Sequence, residues 1–223
     1  MFGSAATRTA GVLSALVVTN IVAQRTRLPA DLVVPAAVAA LAAWARAGGL
    51  GWDEMGMGRE ALWEGLPTAA AAATVTVTGV GAAAVPPWTP DLGDLTRYPT
   101  PADARRAAFG TIPLSVAVPE EVAFRGVLDA SLRRHLSPGA ADLAGALAFG
   151  AWHVLGARPI GPGTRGHVLG AVLTFAATTA AGLGFTALRR LTGSVLPGIA
   201  AHWALNGSGA VAAAGARRSR WGA

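Results

Sequence analysis

Seven apolar blocks, each about the length of a membrane crossing and each fenced by arginine, proline, glycine or acidic residues, follow one another along the chain. They run approximately over 9–24, 29–46, 61–85, 107–132, 138–157, 167–188 and 193–215. A spanning helix needs roughly 20 residues, so this succession confines the chain to a bundle of membrane helices. A membrane barrel would alternate apolar and polar residues, and these blocks do not. Only 13% of the 223 residues are charged, against about 25% in an ordinary soluble domain. The expected fold is all-α: a polytopic transmembrane bundle of about seven spans. Alanine and glycine dominate the spans, which favours close approach of helix backbones in lipid.

The blocks read as a single integral membrane domain, 1–223, in four parts. Residues 1–85 supply three front spans. The first of these, "AGVLSALVVTNIVA", reads as a span and not a secretory leader, because no small-residue cleavage site follows it. Pro67 interrupts the third. Residues 86–106, "PPWTPDLGDLTRYPTPADARR", contain five prolines and read as a polar loop. A back half of four spans occupies 107–215, and a basic tail 216–223 follows it. Every intramembrane polar group of chemical interest is expected behind the loop. No repeat of fixed period occurs.

The net charge of +6 comes entirely from arginine, since the chain has no lysine. The arginines cluster between apolar runs: Arg25 and Arg27, Arg105 and Arg106, Arg133 and Arg134, Arg189 and Arg190, Arg217 and Arg218. That is the pattern of anchors flanking spans in a lipid bilayer, not of a basic face that binds nucleic acid. Assigned to alternate loops, they split seven to ten between the two membrane faces, so the positive-inside rule favours neither orientation. The expected location is the cell membrane, as a multi-pass protein. The absence of cysteine excludes disulfides, thiolate catalysis and Cys-ligated zinc.

The fourth block departs from its neighbours. "SVAVPEEVAFRGVLDASL", residues 115–132, carries Glu120, Glu121 and Arg125 inside an otherwise oily helix. Each ionised group at a span centre costs about 2.5–3.5 kcal/mol on insertion scales, so these groups must pair or line a wet cavity. Residues four apart lie about 40° apart around a helix, neighbours about 100°. Glu121 and Arg125 therefore share a face, with the acid N-terminal, the better order for an ion pair. Glu120 is turned away from that pair, shares a face with Phe124, and is left free. Two later spans offer partners: Phe149 and His153 in "FGAWH", and His202 and Asn206 in "HWALN". Lipid cannot satisfy these groups, so they turn inward. Glu120, His153, His202 and Asn206 are then expected to share one cavity in the C-terminal four-helix half.

Such a set suits hydrolysis by an activated water. A carboxylate beside an imidazole can take a proton from water and pass it to a leaving amine. A second imidazole and a carboxamide can hold the oxyanion. No serine nucleophile is needed, and no G-x-S-x-G elbow occurs.

The ordered pattern E-E-x-x-x-R, F-x-x-x-H, H-x-x-x-N, each in an apolar helix, resembles the CPBP family of intramembrane proteases. That family includes the type II CAAX prenyl endopeptidases and the Abi-type bacteriocin-processing and self-immunity proteins. The lead-in "LRRLTGSVLPGIAAH" is similar to the family's approach to its third block. The likeness covers about 107–210. It implies that Glu120 and His153 activate the water and that His202 and Asn206 stabilise the oxyanion. Glu121 and Arg125 would orient the site, and Phe149 would pack beside the catalytic histidine. The family is often described as metal-dependent, and Glu120, His153 and His202 are the zinc ligands this alternative would use. The metal-free glutamate route is favoured, because H-E-x-x-H is absent and no outer carboxylate is evident to orient either histidine.

The resemblance implies an endopeptidase acting on a membrane-associated peptide or protein. A prenylated CAAX protein is one substrate class. The lysine-free, alanine- and arginine-rich composition looks bacterial, where a bacteriocin leader, a regulated membrane peptide or a self-protein is as good a candidate. The alternatives are a catalytically silent immunity or scaffold protein with the same fold, and a proton-coupled transporter; small size and the lack of an internal repeat weigh against the transporter. Trp152 and Trp203 read as packing residues or interface anchors, His135 and His167 as solvated, and Ser137 as a helix N-cap. Asp129 can pair with Arg133 or stand at the cavity mouth.

Overall fold

The computed structural model describes residues 4–84 and 98–221. Seven helical rods follow one another, and no strand occurs among the described residues: α1 (Ala5–Arg25), α2 (Ala30–Ala47), α3 (Arg59–Ala84), α4 (Pro101–Arg133), α5 (Pro138–Val154), α6 (Gly163–Thr192) and α7 (Leu196–Trp221). Each corresponds to one of the seven blocks. Five, α1 to α4 and α6, are long and apolar enough to cross a membrane. The two that fall short, α5 and α7, carry His153 and His202.

The helix starts follow capping chemistry. Ser4 accepts from the Thr7 amide at 3.2 Å to open α1. Thr100 and Asp103 form a reciprocal capping box at the start of α4, with Pro101 in the first turn. The polar loop expected over 86–106 therefore ends at Thr100: Pro101 begins the helix that the loop was expected to precede, because proline's missing N–H costs nothing in a first turn. The remainder of that loop, apart from Tyr98–Thr100, lies outside the described residues. Ser137 precedes α5 as expected but makes no side-chain capping bond. The backbone of α7 stays helical through Trp221, so the tail expected from 216 is not a separate segment along most of its length.

α4 is the central rod, touching α1, α2, α5, α6 and α7. It is not uniformly α-helical. Turns of π-helix occupy Ala107–Thr111, Pro113–Ala117 and Val122–Leu128. The Ile112 amide reaches the Ala107 carbonyl, and the Val118 amide reaches that of Pro113, both i→i+5 bonds. Pro113 and Pro119 lack the donors a regular ladder needs, and the wider turns accommodate them. Trp203 Nε1 donates to the Ala108 carbonyl at 2.6 Å, so a side chain of α7 satisfies the backbone in the first π turn.

The α2–α3 connection folds inward. Leu50 and Met55 are buried in the core, and Met55 lies against Gly126 of α4. The Val195 amide donates to the Gly56 carbonyl at 3.1 Å. Arg134 donates to Glu54 (2.9 and 3.1 Å) and to the Gly49 carbonyl (2.7 Å). Arg189 donates to the Glu54 carbonyl at 3.0 Å. Gly56 has φ +68°, and any Cβ there would run into the Arg189 guanidinium. The Arg134 hydrogen bond holds the Glu54 carboxyl below its ordinary range. At the same end, Asp129 accepts from Arg133 at 2.7 Å, which settles its pairing, and Arg133 and Arg190 both donate to Asp142. These arginines tie α4, α5, α6 and the inward loop together.

Candidate active site

Both glutamates enter on a short α-helical stretch of α4, Val118–Glu121, held between two π turns. Glu121 is wholly enclosed. Its Oε1 accepts from Arg125 Nη1 at 3.0 Å, the i, i+4 pair that helical geometry anticipates. Arg125 Nη2 donates to the Gly182 carbonyl of α6 at 3.1 Å. The guanidinium lies over Phe149, 4.1 Å from the ring centroid, and 5.1 Å from that of Phe185. A buried charge is tolerable only when so surrounded.

The same Glu121 oxygen lies 3.0 Å from His202 Nδ1. This is the outer carboxylate that was expected to be missing; it lies 81 residues away in sequence, where no spacing rule reaches. Nδ1–H donates to the carboxylate, which leaves Nε2 aimed at Glu120, 3.9 Å from its Oε2. On α5, His153 Nδ1 is 2.9 Å from the Phe149 carbonyl. A carbonyl only accepts, so this nitrogen carries the proton. His153 Nε2 is thereby presented to the same Glu120 Oε2, at 3.6 Å.

Glu120 is only 7% exposed. Its Oε1 accepts from Trp152 Nε1 at 3.1 Å. Its Oε2 is buried and has no hydrogen-bond partner; 3.6 and 3.9 Å are too long for direct bonds. Three helices thus bring one imidazole nitrogen from each of two histidines within 4 Å of the same carboxylate oxygen. Asn206 stands one turn beyond His202 on α7, half-buried, and no hydrogen bond joins it to the other site residues. The donor types are those zinc accepts, although among the described residues no three His, Cys, Asp or Glu groups are gathered into a metal-holding cluster.

Aromatic rings fix the histidines. Phe149 meets His153 edge-on at 4.6 Å and His202 at 5.9 Å, and Phe185 stacks on His202 at 5.1 Å with only 16° between planes. Glycines make room. A Cβ on Gly198 would sit 2.7 Å from Glu121 Oε2, and one on Gly182 3.2 Å from Arg125 Nη2.

Several residues that complete the site escaped the sequence reading. Trp152, expected to pack or anchor, hydrogen-bonds Glu120. Asn20 of α1, ahead of the loop that was expected to precede all polar groups of interest, is buried and donates to the Trp152 carbonyl at 2.7 Å; an amide in mid-span was its signal. Gly198 precedes His202 by four residues and so shares its face, a signal that was available. Phe185 and Gly182 had none. His135 and His167 are exposed, as expected.

Residues 105–208 match the family model described as type II CAAX prenyl endopeptidase, Rce1-like. Comparisons with curated proteins and with solved structures gave no match. The matched segment begins in the first turns of α4 and ends in α7, and so contains all three motif blocks.

Proposed function

We propose, from the match of residues 105–208 to the Rce1-like model of type II CAAX prenyl endopeptidases, that this multi-pass membrane protein hydrolyses a peptide bond of a membrane-associated substrate with a water activated by Glu120 and His153. The observation that carries this reading is the Oε2 atom of Glu120, buried and unpartnered, with the Nε2 atoms of His153 and His202 at 3.6 and 3.9 Å. A water seated beside that oxygen would bond Glu120 and His153 together.

Charge balance supports the proton accounting. Glu120, Glu121 and Arg125 sum to −1 in a buried site, which one further proton, carried on His202 Nε2, would neutralise while leaving Glu120 free to accept. The water oxygen attacks the scissile carbonyl carbon while one water proton passes to Glu120. The carbonyl oxygen, now an oxyanion, is stabilised by His202 and Asn206. Glu121, bonded to His202 Nδ1 and to Arg125, fixes the direction of the His202 ring. The carbon–nitrogen bond then breaks, Glu120 delivers its proton to the departing amine, and a carboxylic acid and an amine are the products.

Zinc is the alternative. Glu120, His153 and His202 would hold it, and it would supply Lewis acidity and a more acidic water. The hydrogen bond from His202 to Glu121 suits that role as well as it suits the metal-free one, so the preference against metal loses one of its two supports. The metal-free route remains the proposal on the other support, the absence of H-E-x-x-H from the sequence.

The test is cleavage of a panel of membrane-anchored reporter peptides, prenylated and unprenylated, in liposomes. Glu120→Gln should lower kcat by at least about 100-fold without changing the unfolding temperature. Undiminished cleavage by the variant refutes the role of Glu120. Loss of wild-type activity on chelation, restored by zinc, refutes the metal-free route.

A further inference from the structure

The front half of the chain lies outside the family match, yet one of its side chains reaches the catalytic acid in two hydrogen bonds. Asn20 Nδ2 donates to the Trp152 carbonyl at 2.7 Å, and Trp152 Nε1 donates to Glu120 Oε1 at 3.1 Å. We infer that Asn20 and Trp152 are positioning residues that hold Glu120 so that only its Oε2 faces the histidines. This rests on Glu120 being the base of the proposed reaction.

The physical need is clear at both links. Trp152 lies in the last turn of α5, where carbonyls lack a partner within the helix. The amides of Gly156 and Ala157 turn back to His153 and Val154, passing Trp152 by. An unpaired carbonyl is costly where no water reaches it, and Asn20, 5% exposed, supplies the missing donor. Were that all, Asn20 would be a helix cap and nothing more. The indole adds the second link. A carboxylate with two free oxygens can rotate; with Oε1 tied to the indole N–H it cannot, and the unpartnered Oε2 is kept toward His153 and His202. Trp152 also packs edge-on against Phe124 at 5.6 Å, which stops the indole from swinging away.

A cap and a positioning residue differ in what they change. Trp152→Phe keeps an aromatic ring and removes the donor; it should lower kcat about 10- to 100-fold with KM unaltered. Asn20→Leu should lower kcat in the same direction, and the double variant should be no slower than Trp152→Phe alone. The Trp152 indole N–H signal in a ¹H–¹⁵N NMR spectrum, assigned by its absence in Trp152→Phe, should move in Glu120→Ala and also in Asn20→Leu. If Asn20→Leu leaves that signal at the wild-type position, or the two kcat effects multiply, the inference is wrong. Asn20→Ser, too short to reach the carbonyl, repeats the test where leucine disturbs packing. The spectrum needs no substrate, so a protein that cleaves none of the reporters refutes the proposed function while the hydrogen-bond relay is still judged by its own signal.

Discussion

His202 is hydrogen-bonded through Nδ1 to Glu121 Oε1 at 3.0 Å, so its other nitrogen is left to face Glu120. One carboxylate thereby orients an imidazole whose other nitrogen faces the neighbouring carboxylate. Adjacent residues point about 100° apart on a helix, and the two ends of an imidazole ring are reached by those two directions. The two adjacent glutamates flank one ring because of this geometry.

Arg125 is the counter-charge for that unit. Arg125→Met leaves Glu121 enclosed with no cation beside it. Breaking one side of a buried pair costs about 3–5 kcal/mol, read as a lower unfolding midpoint in detergent micelles. Adding Glu121→Gln should recover part of the loss, since the stranded charge is then gone. A double variant less stable than Arg125→Met would contradict the pairing.

Gly198 is tested by one carbon atom. In Gly198→Ala the new Cβ would start 2.7 Å from Glu121 Oε2, and an enclosed Glu121 has no room to retreat. The carboxylate and with it His202 must shift, lowering kcat about 10- to 100-fold. Gly79→Ala, with nothing within 4 Å of the added carbon, is the control and should match wild type.

Trp203 supports the first π turn of α4. Trp203→Phe strands the Ala108 carbonyl, which should cost about 1–3 kcal/mol in the same unfolding assay. Wild-type stability in this variant would mean that the carbonyl finds another donor.

The inward loop should loosen in acid. Glu54 has a folded-state pKa below its ordinary 4.5, so its bond to Arg134 adds stability above that value and loses it as pH falls through the lower, folded one. Amide exchange in residues 49–57 should therefore accelerate, relative to the intrinsic rate, as pH drops below about 4.5. In Glu54→Gln that step should vanish, and the loop should be looser than in the wild type at neutral pH. A pH-independent wild-type loop would show that Arg134 holds it through the Gly49 carbonyl instead.

What could be read in advance was local. The Glu121–Arg125 pair follows from a four-residue spacing within one helix, and seven rods follow from block length. The Glu121–His202 bond and the Trp152–Glu120 bond join residues 81 and 32 apart, and no periodicity encodes which faces of different helices meet. Trp152 reads as a packing residue or interface anchor because an indole beside a span end usually is one; only the packing of α5 against α4 turns its N–H onto the acid. The run of prolines hid the start of α4, because Pro101 reads as a loop residue until Thr100 is recognised as its cap.

The inward loop also imposes an order of assembly. Met55 is buried against Gly126, and Gly56 is bonded to Val195, so its seat is built from chain that leaves the ribosome long after it does. The first three helices reach the bilayer with this plug still outside its socket, and it can lodge only when about 140 further residues have been synthesised. A translation-arrested nascent chain ending before α4, and so lacking both Gly126 and Val195, would hold Met55 unsheltered, within reach of an oxidant that spares the finished protein.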